Sequence, residues 1–150
     1  MLIGLTLEYA KDVGQLIWYV AGTYAALKAA STYDRTANLE RAKWVAQLYE
    51  RFYEKASLKN IRDVLDDAHD SADIRALVAT EKPEFTDYLN FFEYVAYLIE
   101  IEQLKDNDVK AIFQYYLDNL RSHTSVIGYI SEPNHGYEYL SHYLKKRERA

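Results

Sequence analysis

The apolar positions along the chain recur every three to four residues, a period that predicts an all-α protein. The repeat is clearest in "DYLNFFEYVAYLIEIEQL" (87–104), where one helical face carries Tyr88, Phe91, Phe92, Val95, Leu98 and Ile99. Apolar side chains cover much of the remaining circumference, which is typical of a helix with neighbours on several sides. We therefore predict an irregular bundle of about six helices around a central apolar helix at about residues 86–104.

The other helical segments are predicted from the same period and from polar or breaking residues at their ends. We expect a first helix over about residues 5–30, broken near Gly14, and a second over about 38–55 with Thr36 or Asn38 as its N-cap. The remaining segments are expected at about 57–65, 74–80, 108–129 and from 137 onward. This pattern divides the chain into an N-terminal apolar helix (1–37) and a helical domain (38–150).

A narrow polar line interrupts the apolar surface of the 86–104 helix at Asn90, Glu93, Glu100 and Gln103. Glu93 and Glu100 lie two turns apart, about 10.5 Å along the axis at 1.5 Å per residue. At that separation the two carboxylates cannot share one metal ion or one proton by themselves. We expect them to form a solvated edge of the helix or to pair with lysine or arginine.

Composition limits the classes of function. The chain has 150 residues with 49% hydrophobic content, so one globular domain of ordinary size is expected. It contains no cysteine, which excludes disulfides, thiolate metal sites and a cysteine nucleophile. The net charge of −5 argues against a broad phosphate-binding face, so a nucleic-acid partner is not expected. No cofactor-binding motif is present, and no cofactor is expected.

The N-terminal segment contains an uncharged run, "VGQLIWYVAGTYAAL" (13–27). We predict that it binds a protein partner or a second copy of the chain, because exposed apolar helices require such cover. The predicted interaction residues are Leu16, Ile17, Trp18, Tyr19, Val20, Tyr24 and Leu27. The alternative is membrane insertion through residues 13–30, although the uncharged run is shorter than the ~20 residues that span a bilayer. We expect the protein to be cytoplasmic. If the segment is inserted, basic residues beyond it would hold the helical domain at the inner face of the membrane.

Two histidine–glutamate pairs have spacings used by metal centres. Glu132 and His135 match the Glu-x-x-His spacing of di-iron bundles, but they flank Pro133 in an expected loop. Glu138 and His142 are four residues apart on the last helix, which is the better geometry. Two ligands do not complete a metal site. We predict no metal centre, and Glu138 with His142 is the alternative.

Arg62 and His69 are separated by six residues, a spacing that resembles the active motif of helical HEPN-type ribonucleases. That resemblance implies a dimer that cleaves RNA with these two side chains. The intervening "DVLDDA" (63–68) is acidic and would repel phosphate. We therefore expect an exposed arginine and a loop histidine, and we predict that the protein is not an enzyme.

Residues 40–120 resemble a widespread family of small bacterial proteins of unknown function. The likeness is carried by "RAKWVAQLYERFY" (41–53), "IRDVLDD" (61–67), the 87–104 segment and "DVKAIFQYYLDNL" (108–120). In that family an N-terminal segment, often in the membrane, precedes a helical domain. The resemblance implies no activity and no catalytic residues. Together with the apolar N-terminal helix, it favours a non-catalytic, adaptor-like module that self-associates or binds a protein; the alternative is a membrane-anchored accessory protein with a cytoplasmic helical domain.

Overall fold

A computed structural model describes the backbone of residues 2–66 and 71–147, and the side chains of residues 14–66 and 71–146. Within these ranges every regular element is an α-helix, so the predicted all-α class is confirmed. The elements are α1 (Leu2–Glu54), α2 (Ala56–Leu65), α3 (Ala72–Ala79), α4 (Pro83–Glu100), α5 (Asp106–Ser122), α6 (Thr124–Ser131) and α7 (Glu138–Arg147).

Helix α1 is continuous where the sequence predicts a break near Gly14 and a gap between residues 30 and 38. Both predictions are wrong. The hydroxyl of Thr32 donates to the carbonyl of Lys28 at 2.9 Å, and the hydroxyl of Thr36 donates to that of Thr32 at 3.0 Å. A threonine hydroxyl can donate to a backbone carbonyl one turn earlier in the same helix. A threonine in the sequence therefore does not require the start of a new helix. Thr36 therefore lies inside α1 rather than at the start of a second helix.

By its internal contacts the chain divides into two units, Met1–Glu40 and Arg41–Ala150. The described part of the first unit is the N-terminal portion of α1, in which the side chains of residues 15–36 are all exposed. The second unit contains the last turns of α1 and all the other helices. A buried core is present in this second unit.

The core of the second unit is rich in aromatic side chains. Phe52, near the end of α1, is fully buried, and its ring lies 5.1 Å from that of Phe91, 5.2 Å from Phe113 and 4.7 Å from Tyr116. Helix α4 contacts α2 and α7. Its buried residues are Phe85, Tyr88, Leu89, Phe91, Phe92, Val95, Ala96 and Leu98. The face predicted from the period is thus buried, except that Ile99 is only half-buried.

Helix α4 begins at a proline and ends at a backbone hydrogen-bond motif. Pro83 stands at its first helical position, where the amide that proline lacks would have no helical partner. At the other end the amide of Gln103 donates to the carbonyl of Leu98 at 2.9 Å, and the amide of Glu102 donates to that of Ile99 at 3.0 Å. This pair of hydrogen bonds is a Schellman motif. It ends α4 at Glu100, before the predicted end at residue 104.

The single helix predicted over 108–129 is interrupted at His123, where the backbone is extended with ψ of 106°. The imidazole of His123 is buried, and its Nε2 lies 3.0 Å from the carbonyl oxygen of Leu65 in α2. Because a carbonyl oxygen can only accept, this contact is a hydrogen bond donated by His123 to the end of α2. The bend between α5 and α6 therefore accompanies a contact between residues 58 positions apart.

Candidate functional site

The candidate site is a stripe of exposed apolar side chains on the N-terminal part of α1. At 3.6 residues per turn, these side chains lie within an arc of roughly 100° on the helix surface. Their exposed fractions run from 62% for Ile17 to 66% for Tyr24 and Leu27. We call them the 16–27 stripe: Leu16, Ile17, Val20, Tyr24 and Leu27. Four residues of the stripe, together with Ala21, line a shallow apolar depression.

Two of the seven predicted interaction residues point elsewhere. Trp18 and Tyr19 are 80% and 66% exposed, but the helical rotation places them outside the stripe. The side of α1 opposite the stripe carries small residues, among them Gly22 and Ala26, and a Cβ added at Gly22 would meet nothing within 4 Å. The side of α1 opposite the stripe is therefore mixed, because these small residues stand there together with the exposed ring of Trp18.

Membrane insertion is the alternative interpretation of this segment. Over the described residues, no helix combines the length and the apolar character that crossing a bilayer requires.

Arg62, the candidate catalytic arginine, is a core residue and not the exposed side chain that the sequence suggests. It is 8% exposed, and its Nη1 donates to the carbonyl of Phe52 at 2.9 Å. Its guanidinium carbon lies 4.7 Å from the ring centroid of Phe52 and 4.9 Å from that of Tyr53, within cation–π distance. The planar guanidinium thus joins α2 to the end of α1. His69 lies outside the described residues, so the structure does not describe an Arg62–His69 pair.

Glu93 is a residue whose role the sequence did not reveal. Its Oε1 accepts a hydrogen bond from the amide of Tyr139 at 3.1 Å, and its Oε2 accepts one from the amide of Leu140 at 2.7 Å. Amides in the first turn of a helix lack helical partners, so Glu93 of α4 caps the start of α7. Burial raises the pKa of Glu93, although the two backbone hydrogen bonds oppose this shift. The expectation of a solvated edge or a basic partner is therefore wrong for Glu93.

One histidine–glutamate pair lies between α6 and α7, and the other lies on α7. His135 Nε2 lies 3.5 Å from Glu132 and 3.9 Å from Glu81, while its Nδ1 lies 2.9 Å from the carbonyl oxygen of Tyr129. Glu138 and His142 are both exposed on α7. No group of three histidine or carboxylate side chains in the described ranges is arranged to hold a metal ion. The Glu138–His142 alternative stays a prediction.

A cavity of about 170 Å³ lies among α4, α5 and α7. Part of its lining is a hydrogen-bonded group centred on Asp106. The hydroxyl of Tyr143 donates to Asp106 Oδ1 at 2.6 Å, and Lys110 Nζ lies 2.5 Å from Asp106 Oδ2. Ala96 and Ile99 of α4 contribute apolar lining. No spacing motif in the sequence indicates this cavity, because its lining comes from three helices.

Comparisons of the chain with protein-family models, with curated proteins and with solved structures found no match. The resemblance over residues 40–120 stays a prediction.

Proposed function

We propose that the protein is a non-catalytic interaction module that self-associates through the 16–27 stripe. The observation that carries this proposal is the exposure of five large apolar side chains on one face of α1, each more than 60% open to solvent. Contiguous exposed apolar surface of this kind marks interaction sites. Most helices in proteins are stabilised by packing of their apolar face, and this part of α1 has such a face without cover in the single chain.

A second copy of α1 fits the stripe because of its spacing. Ile17, Val20, Tyr24 and Leu27 follow one another at intervals of three, four and three residues, the a/d spacing by which two helices pair. In the same register Ser31 and Asp34 come next, so the apolar seam ends after Leu27. A seam this short gives weak pairing, and the assembly is expected to form and dissociate with concentration.

The energetics agree with weak pairing. Full burial of a valine, leucine or isoleucine side chain contributes about 1.5–3 kcal/mol. Association of two chains costs an estimated 4–15 kcal/mol in translational and rotational freedom. In a pair of helices each side chain is only partly buried, so the contribution of the two stripes is of the same order as that cost and its surplus over the cost is small. The surplus is what a reversible assembly needs.

For the second unit, we propose the arrangement of an irregular bundle with α4 as its central helix. Eight buried residues on α4 and its contacts with helices on both sides in sequence, α2 and α7, support this arrangement. The bundle would not include the part of α1 up to Glu40, and this part would provide the interaction surface, as in an adaptor with a stable domain and a separate binding segment.

The test measures molar mass by light scattering over a range of concentrations, using the full chain. The wild type is expected to increase in mass with concentration. A Val20→Glu, Leu27→Glu variant is expected to stay monomeric, because it places charges in the seam. The matched control is Ala26→Glu, an exposed change on the opposite side of α1, which should behave as the wild type. Circular dichroism confirms that each variant keeps its helix.

Two results would reject self-association through the stripe. One is a wild-type chain that stays monomeric at every concentration tested. The other is an assembly that Ala26→Glu weakens as much as the double variant does, since the contact would then not involve the stripe in particular.

A further inference from the structure

The cavity among α4, α5 and α7 combines apolar lining with charges of both signs. Ala96 and Ile99 supply the apolar part, and Glu100, Asp106, Lys110 and Lys146 supply the charges. None of these residues belongs to the 16–27 stripe, so the cavity is independent of the proposed self-association.

Two of the four charges are already used within the protein. Asp106 accepts from Tyr143 through one oxygen and pairs with Lys110 through the other. Tyr143 is largely buried, so this group is held in place by the packing of α7. The carboxylate and the ammonium of the Asp106–Lys110 pair neutralise each other. Beyond this pair the lining carries one acid, Glu100 of α4, one base, Lys146 of α7, and the imidazole of His142. All three side chains are exposed at the mouth of the cavity.

We propose that this cavity binds a free amino acid with an apolar side chain. Glu100 would pair with the α-ammonium group and Lys146 with the α-carboxylate, while the side chain would lie against Ala96 and Ile99. A zwitterion fits because it brings one charge of each sign together with an apolar group, as the lining does. A simple anion or cation would leave one of these two charges without a partner.

The size of the cavity agrees with such a ligand. The observed volume of about 170 Å³ is several times the ~30 Å³ that one water occupies in the liquid, so the cavity accommodates a small molecule. Leucine and methionine are of this size.

The experiment titrates the full chain with L-leucine in a calorimeter and compares two analogues. Isocaproate lacks the ammonium group, and isoamylamine lacks the carboxylate. Leucine is expected to bind saturably, and each analogue about tenfold more weakly, because a hydrogen-bonded charge contributes about one factor of ten in affinity. Absence of saturable leucine binding would overturn the proposal.

Substitutions then assign each charge to its residue. Glu100→Gln should remove the preference for leucine over isocaproate, and Lys146→Gln should remove the preference over isoamylamine. Lys145→Gln is the matched control, since this exposed neighbour does not line the cavity. If leucine binds but both preferences survive in the two variants, ligand recognition takes place elsewhere and the proposal fails.

Discussion

Glu93 connects two helices through a single carboxylate. Both of its carboxylate oxygens accept hydrogen bonds from backbone amides in the first turn of α7, with N···O distances of 3.1 and 2.7 Å. A negative charge at this position also interacts favourably with the partial positive charge at a helix N-terminus. The side chain therefore does for α7 what a local N-cap residue usually does, although it comes from another helix.

We expect Glu93→Ala to lower the free energy of unfolding by about 0.5–2 kcal/mol, the usual cost of losing an N-cap. Glu93→Gln should cost less, because its amide oxygen can still accept one of the two hydrogen bonds. Urea unfolding monitored by circular dichroism measures both variants. Asn90→Ala, an exposed change one turn earlier on α4, is the control and should stay within about 0.5 kcal/mol of the wild type. An equal effect of Asn90→Ala and Glu93→Ala would contradict the capping role.

At the scale of single residues, the burial of apolar side chains could be predicted, while the burial and the partners of charged side chains could not. The period of the apolar residues placed Phe91 and Phe92 inside, and both are buried. The partners of Glu93 lie 46 and 47 residues away, and no local pattern records such a contact. Arg62 was expected at the surface because arginine is rarely buried, and the aromatic rings that cover it come from other helices.

Helix α4 ends in a left-handed residue that is not glycine. Glu102 has φ of 59°, and the two hydrogen bonds of the Schellman motif hold it there. Glycine is the usual residue at this position because a Cβ is disfavoured in the left-handed region. The end of α4 therefore carries backbone strain that a substitution can remove.

Replacing Glu102 with glycine should raise the free energy of unfolding by about 0.5–1 kcal/mol, since the strain of a left-handed L-residue is about 1–2 kcal/mol and the more flexible unfolded chain cancels part of the gain. Thermal and urea unfolding measure the change. Gln114→Gly, at an exposed position inside α5, should have the opposite sign and cost about 1 kcal/mol. A loss of stability in Glu102→Gly would show that the side chain of Glu102 contributes more than its backbone strain costs.

At the scale of helices, the type of element could be predicted more accurately than its ends. Polar residues such as Thr32 and Thr36 favour helix ends in sequence, yet in α1 their hydroxyls bond to the preceding turn. The break at His123 has neither glycine nor proline beside it, and it is accompanied by a bond to Leu65. The end of α4 also lacked its usual glycine. Each of these errors concerns a boundary that hydrogen bonds determine.

Taken as a whole, the folded second unit keeps several tyrosine hydroxyls protonated. Burial, assisted by a hydrogen bond with Tyr116, raises the pKa of Tyr53 to about 12. Burial also raises the pKa of Tyr137 to about 12, with Tyr129 and Glu81 adding to the shift. The pKa of Tyr88 lies well above its ordinary value because its hydroxyl is buried. Ionisation of these groups therefore opposes folding.

We expect the stability of the protein to fall as the pH rises from about 10 to about 12. In the unfolded chain tyrosines lose their protons near pH 10. In the folded chain Tyr53 and Tyr137 keep theirs until about pH 12, so the folded state binds more protons in this window. Stability then decreases with rising pH, and below this window these groups contribute no slope. Urea midpoints across the alkaline range measure the effect.

A Tyr53→Phe, Tyr137→Phe variant is the comparison for this prediction. Without the two hydroxyls it should lose stability less steeply between pH 10 and 12 than the wild type does. Identical slopes for the two proteins would mean that the ionisation of these two tyrosines is not what makes the folded state sensitive to alkali.

Helix α1 belongs to both units, and this has a consequence for how binding would be detected. Leu48 and Phe52, near its end, are fixed in the core. Starting a helix is costly and extending it is not, so the core can serve as the nucleus from which the exposed turns of α1 grow. Local unfolding of these turns should then require less free energy the farther a turn lies from the core along the helix. A second chain bound at the 16–27 stripe would stabilise the helical turns that carry the stripe. Binding would therefore be detected as slower amide hydrogen exchange in those turns.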